Sequence, residues 1–399
     1  MTARRVQLLK VVSGLDIGGV RSAELGFTAE LQARGVGVGG VIVTGGAMAA
    51  RYARLFDGHW LLDTRLPEFR GGRWERLRRT VVNLGRSRQG ARRLAGDLRG
   101  TRWASAGTVV AVRHAPLLPL AALLARRLDL PLLWHMPNPV HDRLGRAYFQ
   151  ALLRLAGGTA VGNSRYTLAS LGAGDGPVIY PGFSPARVAL DETAPELRAS
   201  LGIPAAAPVF AVVARLTPDK ATDWVLAAFL DSAAFRNGAH LLIAGGPLDS
   251  RFALDLRAHA GEAGDGRVHF LGEVEQVAPV YRAADVLVAG RRTVEPFGIS
   301  LVEAMASGLP VIAPGGGGPD EVVTDGVTGW LLPDRGVAAY TRALDRAWSD
   351  RARWPVMGGQ ARTAAAPFSL AHQAGRYLQL VRAVLDPDGD DPAPMVRAR

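Results

Sequence analysis

The sequence predicts two α/β domains, each built on its own parallel sheet. Three observations lead there. The chain is 399 residues long, more than one hydrophobic core usually serves. Short β-like apolar runs alternate with longer helical patterns along it. The alternation also runs through twice, with a break at YPGFSP. Hydrophobic residues make up 48% and charged residues 21%, close to a globular average. No uninterrupted apolar run reaches the 18 or so residues that would span a bilayer.

The N-terminus, MTARRVQLLKVVSG, is basic and then apolar, as a signal peptide would be. Its apolar part is short, lacks a small-residue cleavage site and runs into glycines, so it reads as the first strand. A helix from Ser22 to Arg34, the strand VGGVIVTG, the strand TVVAVRH, a helix to Leu128, then PLLWHM and TAVGNS complete the first series. Inside this series the segment 70–102 holds eleven arginines against Glu75 and Asp97, a local net of +9 out of the chain's +11. Trp74, Leu77, Val81 and Leu84 recur there at helical spacing, which predicts one or two amphipathic helices with an arginine face. Two readings follow: peripheral attachment to an anionic membrane surface, or a packed helix with a solvated basic face. Nucleic acid is not an expected partner, because no reading motif or interleaved aromatics accompany the charge.

The second series comprises PVFAVVARL, a helix from Thr222, HLLIAGG, RVHFLGEV, DVLVAG, the EPFGISLVEAMASG helix, PVIAPGG and TGWLLP. FSLAHQAGRYLQLVRAVL is a long amphipathic helix, and PDGDDPAPMVRAR has the composition of a tail. The expected division is 1–182 and 183–365, with a helix over 366–386 and a tail over 387–399. The absence of cysteine excludes disulfides, thiolate nucleophiles and cysteine metal sites, and fits a cytoplasmic location.

Ligands of open α/β sheets sit beyond the carboxyl ends of the strands. In SGLDIGGVRS, Gly18 and Gly19 let backbone approach an anion at a helix start, without the spacing of a dinucleotide fingerprint. In ARLTPDKATD, Arg215 and Lys220 stand five apart across a proline turn. Only two lysines, Lys10 and Lys220, occur among the 47 lysines and arginines, so Lys220 marks a place for a compact ammonium. A lysine is a point charge suited to phosphate oxygens and an arginine forks across two of them; the alternative is a surface turn with incidental cations. In EPFGISLVEAMASGLPV, Glu295 precedes Pro296 and is biased to extended backbone. A helix should begin near Phe297 or Gly298, leaving the N–H groups of Phe297, Gly298, Ile299, Ser300 and Leu301 unpaired. Glu303 falls over a turn inside that helix. Two carboxylates flanking an anion-binding helix end suit a ligand with hydroxyls on either side of a phosphate, as in a nucleotide sugar. The plainer reading has Glu295 capping the helix and Glu303 solvated.

Taken together, R-x4-K after one strand and E-x7-E around a proline-glycine helix start resemble the retaining glycosyltransferases of the GT-B fold, glycosyltransferase family 4 (glycosyl transferases group 1). YRAADVLV, SGLPVIAPGGGGPDEVVTDGVTGWLL, NSRYT and the C-terminal helix extend the resemblance over nearly the whole chain. It implies two Rossmann-like domains with a cleft between them and a C-terminal helix crossing back to the first. By the family's pattern Arg215 and Lys220 hold the donor diphosphate. Glu295 takes hydroxyls of the transferred sugar, the backbone of Phe297 to Leu301 takes phosphate, and Glu303 takes ribose. Val274 in LGEVEQ lies beside the base, and His135 faces the transferred sugar; the plainer reading of His135 is a histidine satisfied at a strand end.

The chain departs from the pattern in two places. AGRRTVEPFG carries Arg291 and Arg292 where a proline-serine pair is common, and in IGGVRS the acidic residue, Glu24, comes later than usual. The implied reaction moves a sugar from a nucleoside diphosphate to an acceptor hydroxyl with retained configuration, with cations and helix end meeting the departing charge. No metal or other cofactor is expected. Asp16 is the loop acid that would serve as base if the reaction inverted, and the D-x-D match Asp388 to Asp390 falls in the tail. The alternatives are a sugar-nucleotide epimerase of the same fold and a non-catalytic nucleotide-sugar-binding protein.

Overall fold

Every residue of the runs GVGGVIV and TVVAV is buried, as strands covered by helices on both faces require. In the structure, a computed structural model that describes residues 6–15, 19–69, 71–189 and 196–388, such runs form two six-stranded parallel sheets. The chain divides into two compact units: unit 1 takes in the described residues up to Gly182 and from Leu370, and unit 2 runs from Phe183 to Ser369.

In unit 1 the elements are β1 (Gln7–Ser13), α1 (Gly19–Ala33), β2 (Gly37–Val43), α2 (Ala49–Leu55), β3 (Gly58–Leu62) and α3 (Arg73–Leu98). They continue as β4 (Thr108–Val112), α4 (Leu118–Leu128), β5 (Leu132–Met136), α5 (Arg143–Ala156), β6 (Thr159–Gly162) and α6 (Arg165–Leu171). Unit 2 begins with the short helices α7 (Pro185–Val188) and α8 (Leu197–Ser200). Then come β7 (Val209–Val213), α9 (Thr222–Asp231), α10 (Ala233–Arg236), β8 (His240–Ala244), α11 (Arg251–Ala263) and β9 (Val268–Gly272). It ends with α12 (Ala278–Ala283), β10 (Val286–Val288), α13 (Ile299–Ala306), β11 (Val311–Pro314), β12 (Gly329–Leu332), α14 (Val337–Ser349) and α15 (Trp354–Ala365); α16 (Leu370–Leu385) returns to unit 1.

The strand orders are β3-β2-β1-β4-β5-β6 and β12-β11-β10-β7-β8-β9. Each order reverses once, between β1 and β4 in unit 1 and between β7 and β10 in unit 2, and such switch points open a crevice at the strand ends. In unit 1 the buried side chains form one cluster between the sheet and α3, α4 and α5, and another between the sheet and α1, α2 and α16. Alternation along β1 assigns Leu9 and Val11 to the first cluster and Leu8 and Val12 to the second.

Four expectations need correction. The first helix begins at Gly19, three residues before Ser22. The edge strand β3, with the alternating burial of an edge, was not anticipated. The closing helix begins at Leu370 rather than 366, because residues 366–368 form a separate 3-10 turn whose Phe368 carbonyl accepts the Phe183 N–H at 3.0 Å within unit 2. The segment 73–98 is one helix, but Trp74, Leu77, Val81 and Leu84 are exposed rather than packed. Gly18 and Asp16 lie outside the described residues, as do Gly389 and Asp390 of the D-x-D match.

Candidate functional site

The switch point of unit 2 gathers the loops after β7 and β10. The first loop turns through a 3-10 helix, Pro218–Lys220. Lys220 Nζ donates to Glu295 Oε2 at 3.1 Å, although the two are 75 positions apart. Arg291 Nη1 lies 3.5 Å from the same oxygen and 3.1 Å from Asp219 Oδ2. Arg292 donates to the Pro218 carbonyl at 2.7 Å, pairs with Asp223 and stacks 4.3 Å over the Trp224 ring. The two arginines that break the family's pattern therefore tie the lysine loop to the Glu295 loop. Arg215, at the mouth of the same loop, is exposed and makes no ion pair or side-chain hydrogen bond among the described residues.

Pro296 and Gly298 set the start of α13. Gly298 adopts φ +92 as the residue before the first helical one, Ile299, a conformation that favours glycine. The helix thus begins one or two residues later than expected. The Leu301 N–H bonds the Gly298 carbonyl at 3.0 Å, so it is not a free donor; Ile299 and Ser300 carry the first-turn N–H groups that helix geometry leaves without an intrahelical acceptor. Phe297 is buried with its ring 5.8 Å from Phe368. The loop after β11 closes on this segment: Gly318 N–H bonds the Glu295 carbonyl at 2.9 Å, and a Cβ on Gly318 would lie 2.3 Å from the Pro296 carbonyl oxygen. The glycine run 315–318 belongs to a stretch that carries the resemblance, but nothing local in it announces its service to the helix start.

Glu303 is 4% exposed, so the solvated reading is wrong. Oε2 accepts from the Tyr281 hydroxyl at 3.1 Å and Oε1 from Arg187 Nε at 3.0 Å. Burial and the neighbouring carboxylate push the Tyr281 phenol well above its ordinary value, so it stays a donor. Neither partner stands out in the sequence, although Tyr281 opens YRAADVLV and Arg187 follows YPGFSP by two residues. Val274 is half-buried in the loop after β9, two strands along from β7.

In unit 1, Lys10 on β1 is buried. It pairs with Glu24 of α1 and donates to the Thr28 hydroxyl at 2.7 Å, and Arg113, one residue past β4, reaches the other Glu24 oxygen at 3.1 Å. This cluster straddles the β1/β4 switch point and lines a cavity with Phe27, His135 and Tyr377. Burial works against the Glu24 carboxylate, but the charges of Lys10 and Arg113 outweigh it and hold its pKa down to about 2. Burial also pulls the Lys10 ammonium down while Glu24 pulls it up; with Glu24 ionised, the pair stays charged. Its late position puts Glu24 on α1 rather than in the glycine loop, where it partners buried cations. His135 is 6% exposed, and its Nε2 lies 2.9 Å from the Ile179 carbonyl. Burial, then the Arg113 charge, hold the ring down to about 3, so it is neutral. Gly19 opens α1 in this same unit.

Comparison with known proteins agrees with this architecture. Residues 207–350 match the model of the family described as glycosyl transferases group 1. The chain is 39% identical over 197 residues to a D-inositol 3-phosphate glycosyltransferase of Nocardia farcinica, covering 47% of this chain and 43% of that protein. It is 37% identical over 220 residues to the protein of the same name from Mycolicibacterium gilvum, covering 54% and 48%. These matches span less than half the length of either relative. Among solved structures, a glycosyltransferase from Rickettsia africae superposes with a TM-score of 0.79 at 17% identity, over 96% of this chain and 99% of that one. Anabaena HepE in complex with UDP superposes with a TM-score of 0.76 at 18% identity, over 95% and 100%. The fold is therefore GT-B, and residues 207–350 are similar to the family described as glycosyl transferases group 1.

Proposed function

We propose that the chain transfers a hexose from a nucleoside-diphosphate sugar to an acceptor hydroxyl with retention of anomeric configuration. The observation that carries this reading is the grouping at the unit 2 switch point. Lys220 and Arg291 both lie within ion-pair distance of Glu295, beside the start of α13 and one turn from the buried Glu303. Arg215, Lys220 and the first-turn N–H groups of Ile299 and Ser300 would meet the diphosphate, whose charge grows as the sugar departs. Glu295 would accept hydroxyls of the transferred sugar. Glu303, oriented by Tyr281 and Arg187, keeps a lone pair on each oxygen for the ribose hydroxyls. Val274 would flank the base. His135, neutral, would present an uncharged ring to the sugar, and the Gly18-Gly19 pair is assigned to donor binding on its sequence alone.

A diphosphate leaving group needs charge stabilisation rather than a general acid, which these cations supply without a metal. The Anabaena neighbour has been solved with UDP and with UDP-glucose, which supports a donor of that class here. Incubation with a panel of nucleotide sugars and a set of hydroxyl acceptors tests the reading. Release of free nucleoside diphosphate coupled to a glycosylated product, with the donor's anomeric configuration in its NMR coupling constants, is expected. Donor binding with no diphosphate released would leave a binding protein, and interconversion of the donor sugars would make it an epimerase.

A further inference from the structure

The first turns of α3 stand clear of their own domain. Every described side chain from Trp74 to Arg78 is exposed, and the apolar residues Trp74, Leu77, Val81 and Leu84 are 79, 55, 64 and 41% exposed. At 3.6 residues per turn these four form one stripe, roughly 100° round the helix from the row Asn83, Ser87, Leu94 and Leu98 that faces the core. Single exposed apolar residues need no explanation, but an aligned set does. Arg88 and Arg92 continue the stripe toward the helix end and Arg78 borders it. All three are exposed, and none makes a hydrogen bond or ion pair among the described residues. The acids nearby are engaged elsewhere, Glu75 with Arg79, Asp97 with Arg93 and Asp142 with Arg76.

The geometry points to an anionic lipid surface as the partner of this stripe. Trp74, Leu77 and Val81 would enter the boundary between headgroups and acyl chains, while Arg78, Arg88 and Arg92 would meet lipid phosphates. The +9 of segment 70–102 argues against a second copy, since a two-fold contact would set that charge against itself. A soluble polyanion would engage the arginines and leave the apolar row without purpose. This surface is independent of the donor reading, since none of its residues belongs to the unit 2 site.

Co-sedimentation of the full chain with vesicles tests it, using phosphatidylcholine alone and phosphatidylcholine mixed with phosphatidylglycerol. Binding is expected to the anionic vesicles only, and to weaken with salt as the Debye length shrinks from about 10 Å at 0.1 M to about 3 Å at 1 M. The triple variants R78Q/R88Q/R92Q and W74S/L77S/V81S are each expected to lower partitioning at least about tenfold. Their unfolding temperatures should match wild type, because the altered side chains are exposed. No binding to anionic vesicles at low salt overturns the proposal, as does equal binding to neutral vesicles. Wild-type binding by the serine variant overturns it too, since charge alone would then suffice, and so does retention on heparin without vesicle binding.

Discussion

The ammonium of Lys220 lies 3.1 Å from Oε2 of Glu295, within the loops that end β7 and β10. The cation that the donor's phosphates would need and the acid that the transferred sugar would need thus hold each other in place, with Arg291 on the same oxygen at 3.5 Å. Removing either changes the other's surroundings.

Lys220→Ala is expected to lower donor affinity and turnover at least about tenfold, since a charge-assisted contact contributes roughly 1.5–3 kcal/mol. Donor titration and steady-state kinetics measure this, with circular dichroism as the folding check. A folded variant with wild-type kinetics would take Lys220 out of the site.

Turnover is expected to survive a chelator. Arg215, Lys220 and the start of α13 are proposed to meet the diphosphate charge that a divalent ion would otherwise neutralise. Loss of activity in EDTA that magnesium restores would contradict this.

Tyr281→Phe removes the hydroxyl that donates to the buried Glu303 at 3.1 Å. A lost hydrogen bond to a charged group costs about 1.5–3 kcal/mol, so a clear drop in unfolding temperature is expected. If Glu303 also orders the ribose, the donor KM should rise severalfold with kcat little changed. An unfolding temperature equal to that of wild type would show that the hydroxyl does not support the carboxylate.

Acid should destabilise unit 1 in two stages. His135 has an ordinary value of 6.5 and is held near 3 by burial and Arg113; below about 6.5 the unfolded chain binds a proton that the folded one does not, so stability falls as pH drops from 6.5 toward 3. Glu24, held near 2 against an ordinary 4.5, contributes stability that is fully present above 4.5 and is lost as pH falls from there toward 2. Unfolding temperatures of wild type and His135→Asn between pH 7 and 4 are the test, and the variant's curve should be flatter above pH 4.5. Parallel curves would mean that His135 titrates normally in the folded state.

Local periodicity alone determined eleven of the strands as apolar runs, the alternation that makes two α/β units, and the helix start after Glu295-Pro296 to within one or two residues. These are short-range properties: a strand covered on both faces is apolar along most of its length, and a proline with a glycine two residues on breaks regular backbone locally. The edge strand β3 escaped notice because it is buried on alternate residues within only five positions. Strand order was not legible, and the pairings depend on it. Lys220 meets Glu295 across 75 positions and Arg187 meets Glu303 across 116, because β10 lies beside β7 and α7 lies against α13. Lys10 stood out as a rare lysine, but nothing near it in sequence announced that Glu24 and Arg113 would allow it to be buried. The stripe of α3 shows the limit most plainly. Trp74, Leu77, Val81 and Leu84 have the same spacing whether they face a core or solvent, and only the elements packed around the helix decide which, because periodicity specifies a face and tertiary structure alone specifies what covers it.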